Sequence, residues 1–363
     1  MKHKATDVTS YHPTPISGSE SQAMRGVAIL CIMLHNILHL TLPTVENEFS
    51  FSYSRVEVFT DSISTNPSWA LADAMSFLGW YGVAVFIFLS GYGLVRKYEN
   101  DDSELPIWPF IKDRWLKVAK LILIPMLLFA IVWSLVKGRI FPIEMLLQQL
   151  ALIGNITAPL SITPGVYWFF GLIFQLYIVY RLFIYRRSKN FILNMNTIAL
   201  AIYTAMWMFS DETTIAAVRH NGIGWILPFS IGAMFARHDF SALFSRKWAM
   251  WLTVVLSGVV LTLMNYNPAL LYFSPIVAIV ASIALAKLWS GGAWLGALSS
   301  SLFAMHPIVR YLLLTNGVKS MFGFDISNPY SVRIIPIVAI YIALSIAAAM
   351  LYKRLYTRLL DHK

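Results

Sequence analysis

Long apolar segments recur along this chain and constrain its fold more than any other feature. A helix needs roughly 20 mostly apolar residues to cross about 30 Å of hydrocarbon. Ten segments of about this kind are present, at 24–42, 73–95, 118–136, 166–185, 191–210, 222–236, 248–264, 269–289, 295–315 and 334–353. The segments at 222–236 and 248–264 are short, Pro228 lies within the first of these, and Pro275 lies within the segment at 269–289, which it can kink. The sequence predicts an all-α, polytopic transmembrane helical bundle of about ten spans.

The composition favours a single membrane domain over several soluble ones. Of the 363 residues, 58% are hydrophobic and 13% are charged, whereas soluble domains carry about 45–50% and about 25%. No polar linker divides the apolar segments. We therefore predict a cytoplasmic tail at 1–23, a transmembrane domain at 24–353 and a cytoplasmic C-terminal tail at 354–363. The first 24 residues lack the apolar core of a cleavable signal peptide.

The basic residues predict the orientation of the bundle. The net charge is +10, but the basic residues form short clusters between apolar segments, which is typical of cytoplasmic membrane loops rather than of a nucleic-acid partner. With both termini in the cytoplasm, most of the 28 lysines and arginines lie inside. We expect a multi-pass protein of the cytoplasmic (inner) membrane, in contact with membrane lipid, with acidic or amphipathic outer loops near 43–72 and 137–165.

Three ionisable residues within or at the ends of the spans are candidates for a functional site. Such residues cost about 2.5 kcal/mol or more in a membrane, so each requires a reason. Arg25 lies at the inner end of the first span, and His35 follows at roughly 15 Å along the helix axis. His306 lies in the ninth segment. The alternatives are a snorkelling anchor for Arg25 and a structural, carbonyl-bonded histidine for His306; His39 reads as an interfacial residue.

These residues favour the chemistry of an acyl-coenzyme A donor. A histidine is the natural general base near neutral pH, and clustered basic residues suit a phosphate-bearing ligand. Arg114, Lys117 and Lys120 have helical spacing at the same predicted membrane face as Arg25. A ligand with its phosphates there and a thin arm of roughly 15 Å would reach His35. The alternative is that these basic residues form a solvated face that obeys the positive-inside rule.

Five stretches resemble, in order, the integral-membrane acyltransferase-3 family over about residues 20 to 350. They are "RGVAILCIMLH", "GVAVFIFLSGYGLVRKY", "FIKDRWLKVAKLILIP", "YWFFGLIFQLYIVYRL" and "LGALSSSLFAMHPIV". The chain departs from the family pattern in three places. Nine residues rather than ten separate Arg25 from His35, so Asn36 takes the position in phase with Arg25. Lys117 replaces an arginine, and Phe303 replaces a tyrosine.

The resemblance implies a membrane-bound O-acyltransferase that uses acetyl-CoA or another acyl-CoA as donor and no metal. The acceptor would be a hydroxyl of an extracytoplasmic glycan or a lipid-linked sugar. By the same resemblance, His35 is the catalytic base or acyl relay, His306 is a supporting catalytic residue, and Arg25, Arg114 and Lys117 bind the donor.

Two other functions and one open assignment accompany this expectation. A transporter of polysaccharide or a lipid-linked intermediate would use the histidines as a proton relay, but its expected inverted repeat is not evident. A signalling or scaffold protein would not require the inner basic cluster. The sequence does not choose a carboxylate partner for His35 among Asp73, Glu48 and Asp211. Cys31 is interpreted as a packing residue, because a thiol in apolar surroundings is poorly ionised.

Overall fold

The computed structural model describes residues 16–100, 103–315 and 329–360, and this part of the chain is helical and contains no strand. Residues 1–15 and 361–363 of the predicted tails lie outside the described residues. The α-helices are α1 Gly18–Leu38, α2 Tyr53–Thr65, α3 Ala70–Leu78, α4 Gly82–Tyr98, α5 Ile107–Lys137, α6 Ile143–Leu150, α7 Gly154–Thr157, α8 Trp168–Val179, α9 Lys189–Phe209, α10 Glu212–Arg219, α11 Ile226–Arg237, α12 Lys247–Met264, α13 Pro268–Leu288, α14 Ala293–Gly296, α15 Ser299–Leu313 and α16 Ile334–Leu359.

Eight helical segments in the described residues are long and apolar enough to cross a membrane, which confirms the polytopic bundle. They are Gly18–Leu38, Pro67–Tyr98, Ile107–Lys137, Gly165–Ile184, Lys189–Phe209, Lys247–Met264, Pro268–Leu288 and Ile334–Leu359. The other two predicted segments are shorter. Gly222–Arg237 is apolar but falls below span length, and the ninth segment divides into α14 and the 15-residue α15. Most side chains of α15 are buried in the bundle, so protein covers a helix that is too short for lipid.

The start of α1 is fixed by local chemistry. Ser17 and Glu20 form a capping box: the Ser17 hydroxyl accepts from the Glu20 amide at 3.2 Å, and the Glu20 carboxylate accepts from the Ser17 amide at 2.7 Å. These bonds satisfy amides that the first helical turn leaves without partners. The helix then runs from this cap through Arg25 to His35 near its other end.

Helices α4 and α11 approach each other closely through a pair of glycines. A Cβ atom on Gly91 would overlap the carbonyl oxygen of Phe229, and one on Gly232 would overlap that of Phe88. Small residues at a helix contact allow backbones to pack directly, which is how membrane helices associate without a hydrophobic driving force. The two glycines therefore set the distance between α4 and α11.

The C-terminal ends of α4 and α11 are joined by a partly buried ion pair between Glu99 and Arg237. Arg237 donates from Nη2 to Glu99 Oε1 at 2.8 Å and from Nε to Glu99 Oε2 at 2.9 Å. Tyr180, at the start of a π-helical turn over Tyr180–Ile184, also donates to Glu99 at 3.1 Å. Such a two-point guanidinium–carboxylate contact fixes orientation as well as distance, so it holds the end of the bundle that lies far from His35.

Candidate functional site

A cavity of about 200 Å³ opens where α1 ends, at the face predicted to be extracytoplasmic. Side chains from α1, the loop after it, the start of α8, the end of α10 and α15 converge there. The lining residues are Ile32, His35, Asn36, His39, Glu46, Glu48, Phe49, Trp80, Val83, Gly165, Val166, Trp168, His220, Phe303 and Arg310. Towards Arg25 the lining ends at Ile32 on α1 and Val83 on α4, so Arg25 itself does not reach the cavity.

His35 is held in one ring orientation by a backbone carbonyl. Its Nδ1 lies 2.7 Å from the carbonyl oxygen of Ser76, and a carbonyl only accepts, so Nδ1 carries the proton. In the neutral ring, Nε2 is then left with a lone pair. Gly79 allows this packing, since a Cβ there would lie 2.8 Å from His35 Cβ. The side chain is buried yet lines the cavity, and this geometry suits a general base.

A second histidine and a carboxylate adjoin His35. The His39 ring stacks on the His35 ring with centroids 4.9 Å apart, and its Nδ1 lies 2.7 Å from the His35 carbonyl oxygen. Glu46 Oε1 lies 4.0 Å from His35 Nε2. Arg55 fixes the loop that carries Glu46 by donating to the carbonyl oxygens of Glu46 and Ser50 at 2.9 and 2.7 Å. The carboxylate is thus placed to stabilise a protonated imidazole.

Glu46 and Glu48 both line the cavity, but their surroundings shift the pKa values of the two carboxyls in opposite directions. Burial alone would raise the pKa of Glu46, but His35 and His39, a hydrogen bond with its own backbone, and Arg55 together bring it below its ordinary value. Burial and the neighbouring Glu46 raise the pKa of Glu48 well above its ordinary value, and Arg219 opposes this only in part. Glu46 is therefore the carboxylate that stays charged, whereas Glu48 tends to hold its proton.

Arg310 brings a positive charge to the cavity wall. Its Nη1 donates to the carbonyl oxygen of Asn36 at 2.8 Å and to the Asn36 side-chain oxygen at 2.7 Å. The side-chain nitrogen Nδ2 of Asn36 donates in turn to the Ile32 carbonyl oxygen at 2.8 Å. Asn36, the residue in phase with Arg25, thus anchors a guanidinium beside the base. Donors fixed in this way suit a negative charge that develops on an oxygen.

Aromatic rings form the opposite wall. Phe49 stacks on His220 with ring centroids 3.9 Å apart, and Trp168 meets the His220 ring edge-on at 5.6 Å. His220 is fixed by its Nδ1, 2.6 Å from the Ala216 carbonyl oxygen, and Asn155 holds its backbone with a 2.9 Å bond. Burial lowers the pKa of His220, so this wall is neutral and flat.

The predicted donor-binding residues lie together at the other end of α1. Arg25 and Arg114 lie within electrostatic range of Lys117, and both also act on Tyr177. Arg25 is half-buried, and its Nε is buried with no hydrogen-bond partner among the described residues. Arg114 is paired with Asp113 on its own helix. An orphaned guanidinium nitrogen beside a second cation fits an anionic ligand.

The structure places the remaining predicted residues apart from the cavity. His306 is fully buried, does not line it, and neither ring nitrogen has a partner in the described part of the chain; its neighbours on α15, Phe303 and Arg310, do line it. Asp73 accepts from Thr44 at 3.1 Å, and Asp211 caps α10. Of the three carboxylates that the sequence left open as partners of His35, only Glu48 lines the cavity. The carboxylate that lies 4.0 Å from His35 Nε2 belongs instead to Glu46, which was not among the three.

Sequence reasoning missed Glu46, Asn36, Arg310 and His220 as members of this cavity. It also interpreted His39 as an interfacial residue, whereas His39 stacks on His35. Signals for two of them were present: Asn36 follows His35 directly and is in phase with Arg25, and Arg310 is a charged residue within the predicted segment at 295–315. Glu46, Arg310 and His220 lie on separate segments and meet only in the folded chain.

A family model described as "Acyltransferase domain" matches residues 20–354 of the chain. No curated protein and no solved structure shows a match.

Proposed function

This chain belongs to the acyltransferase-3 family, and from that membership we propose that it moves an acetyl group from acyl-CoA to a sugar hydroxyl across the membrane. That it is an acyltransferase with several membrane-spanning helices follows from the family match and the helices. The donor, the acetyl group, the glycan or lipid-linked acceptor and the inner membrane are parts of the proposal.

The proposal rests above all on the geometry of His35. Its Nδ1 proton is committed to the Ser76 carbonyl, so Nε2 accepts a proton from the acceptor hydroxyl. The hydroxyl oxygen attacks the thioester carbonyl carbon, the carbonyl electrons move onto oxygen, and the carbon–sulfur bond breaks as the tetrahedral intermediate collapses. The thiolate of coenzyme A then takes the proton from His35. Glu46, 4.0 Å from Nε2, stabilises the transient imidazolium.

Arg310 supports the same reaction from the opposite side. Asn36 holds its Nη1, which leaves the rest of the guanidinium edge to face the oxyanion. Removal of one such donor costs about 10²–10³ in rate in well-studied acyl-transfer enzymes. His306, which does not line the cavity, keeps its predicted role only as a supporting residue, through its helix.

The basic cluster at the other end of α1 is proposed to hold the donor. Arg25, Arg114 and Lys117 would bind the phosphates of coenzyme A at the cytoplasmic face. The 10 residues from Arg25 to His35 rise about 15 Å along the helix, which the extended arm of coenzyme A would bridge. Because the cavity ends at Ile32 and Val83, the arm must enter between these side chains.

The aromatic wall is proposed to hold the acceptor. Phe49 and Trp168 present flat apolar faces beside Glu48 and His220, and the weakly polar C–H face of a sugar ring packs on such rings. A lipid-linked or surface glycan would reach this wall from the outer side. Small apolar acceptors would find fewer polar partners.

A labelling experiment tests the function. Membranes that contain the protein are incubated with labelled acetyl-CoA, and label in surface glycan is measured. We expect labelling in wild type and a loss of about 10²–10⁴ in rate for His35→Ala, which is the usual contribution of a general base.

His238→Ala is the matched control for this experiment, because His238 is exposed at the other end of the bundle. It should label at the wild-type rate. Labelling that is equal in His35→Ala and wild type would exclude His35 as the base. A protein that binds no acyl-CoA but exports glycan would favour the transporter alternative.

A further inference from the structure

His35, His39 and Glu46 bring three potential metal ligands together, whereas a proton transfer by His35 requires only one ring nitrogen. Their ligand atoms all lie within 4.8 Å of one another. They come from one face of the last turn of α1 and from the loop that Arg55 fixes. We propose that this cluster binds a divalent cation of the zinc class, and that the bound ion blocks acyl transfer by occupying His35 Nε2.

The hydrogen bonds of both histidines are those of metal ligands. His35 Nδ1 faces the Ser76 carbonyl and His39 Nδ1 faces the His35 carbonyl, each at 2.7 Å. Histidines that bind metals almost always donate their second ring N–H in this way, which orients the ring and raises its basicity. Both Nε2 atoms are thereby left as ligands.

Glu46 supplies the third ligand. Its Oε2 is buried and has no hydrogen-bond partner among the described residues, while its Oε1 lies 4.0 Å from His35 Nε2. An unpartnered buried carboxylate oxygen is costly, and a cation would remove that cost. Glu46 lies in a loop without regular secondary structure, so its side chain can approach without moving a helix.

The donor set and its setting select the kind of ion. Two imidazole nitrogens and one carboxylate are ligands that zinc binds at about 2.0–2.1 Å, with a fourth position left to water. In a tetrahedral site such ligand atoms lie about 3.3 Å apart, so the distances between them must shorten by up to about 1.5 Å. All three residues line the cavity, from which a water molecule would reach the fourth position. Magnesium, which requires near-octahedral oxygen ligands, does not fit.

The bound ion would compete with the reaction for one atom, His35 Nε2. This consequence rests on the proposed function, in which that atom accepts the proton. His35 Nε2 cannot accept a proton while its lone pair is bound to a metal ion. The ion therefore acts as an inhibitor of acyl transfer.

Cobalt provides a direct test that does not depend on activity. Chelator-treated protein in detergent is titrated with Co²⁺, which absorbs visible light in tetrahedral sites, and then with Zn²⁺ as competitor. We expect one ion per chain in wild type. Affinity should fall at least tenfold in His39→Ala and separately in Glu46→Gln, so that one poorly folded variant does not decide the result. His220→Gln, a cavity histidine outside the cluster, should bind as wild type does.

Absence of binding in wild type, or binding as tight as in wild type by both His39→Ala and Glu46→Gln, would overturn the site. A second arm adds Zn²⁺ or Mg²⁺ to the labelling reaction, and we expect inhibition by Zn²⁺ alone, over the range in which it binds. Binding at the cluster without inhibition would overturn the blocking role and count against His35 as the base. Binding by a protein that transfers no acetyl group would support the site while it refutes the proposed function.

Discussion

At the scale of residues, Glu46 and Glu48 show how the loop after α1 assigns different charges to neighbouring carboxyls. Both side chains line one cavity. Glu46 faces two imidazoles, whereas Glu48 faces Glu46 and is buried. Ionising both would place two negative charges side by side in a poorly solvated space, so one charge is favoured over two.

The raised pKa of Glu48 predicts a specific pH dependence of stability. Its folded value lies well above the ordinary value of 4.5, so between these values the folded state binds more protons than the unfolded chain. Stability is fully present below about pH 4.5 and falls as pH rises through that interval. Glu48→Gln stays neutral. The difference in melting temperature, variant minus wild type, should therefore grow from pH 4.5 towards pH 8.

Thermal unfolding in detergent at several pH values measures this difference. Glu57→Gln, an exposed carboxyl on α2, is the control and should show no such trend. A difference for Glu48→Gln that is constant with pH would contradict the burial of an ionisable Glu48.

The sequence identified His35 because an ionisable residue in a span stands out against its neighbours. Glu46 could not be chosen by the same reasoning, since its position depends on the Arg55 bonds and on the Ser76 hydroxyl, which donates to the Thr44 carbonyl at 2.7 Å. These contacts fix a loop, and loop conformation leaves no periodic signal in a sequence. Arg310 also lies within a predicted span, but the sequence does not place it beside His35, because its anchor on Asn36 joins helices that are far apart in the chain.

At the scale of elements, the α4–α11 contact depends on two glycines, and Gly91→Ala should weaken it. The added methyl would overlap the Phe229 carbonyl, which is backbone and cannot rotate away. We expect destabilisation of about 1–3 kcal/mol, typical of overpacking. Gly93→Ala is the matched control on the same helix, since a Cβ at Gly93 meets open space. Gly93→Ala should be at least as stable as wild type in thermal unfolding, because alanine favours a helix more than glycine does, and equal losses in both variants would refute the contact argument.

Most helices could be predicted from apolar length, but their interruptions could not. The predicted span at 73–95 begins at Pro67 and includes 3₁₀ turns at Pro67–Trp69 and Gly79–Tyr81. The second turn places Gly79 against His35. The ninth segment breaks after Gly296, where a Cβ would overlap the Gln22 carbonyl. These breaks follow from close contacts between helices, which hydropathy does not register.

At the scale of the whole molecule, the predicted orientation can be tested by labelling. Cys31 is the single cysteine, so Cys31→Ser provides a background for new thiols. Glu57→Cys on α2 and Lys112→Cys on α5 both replace exposed residues. A membrane-impermeant maleimide added to intact cells should label Glu57→Cys and leave Lys112→Cys unlabelled until the cells are opened. The reverse pattern would invert the bundle and place the cavity in the cytoplasm.

The cavity that ends at Ile32 and Val83 also has a consequence for the energy balance of the cell. Ile32 and Val83 are the lining residues on the side of Arg25, and both are apolar, so among the described residues this part of the wall offers no polar group to a chain of water molecules that could carry protons. In the proposed reaction, the narrow arm of acyl-CoA would itself occupy the passage that it opens. Acetyl transfer by this route would then proceed without a leak of protons across the membrane.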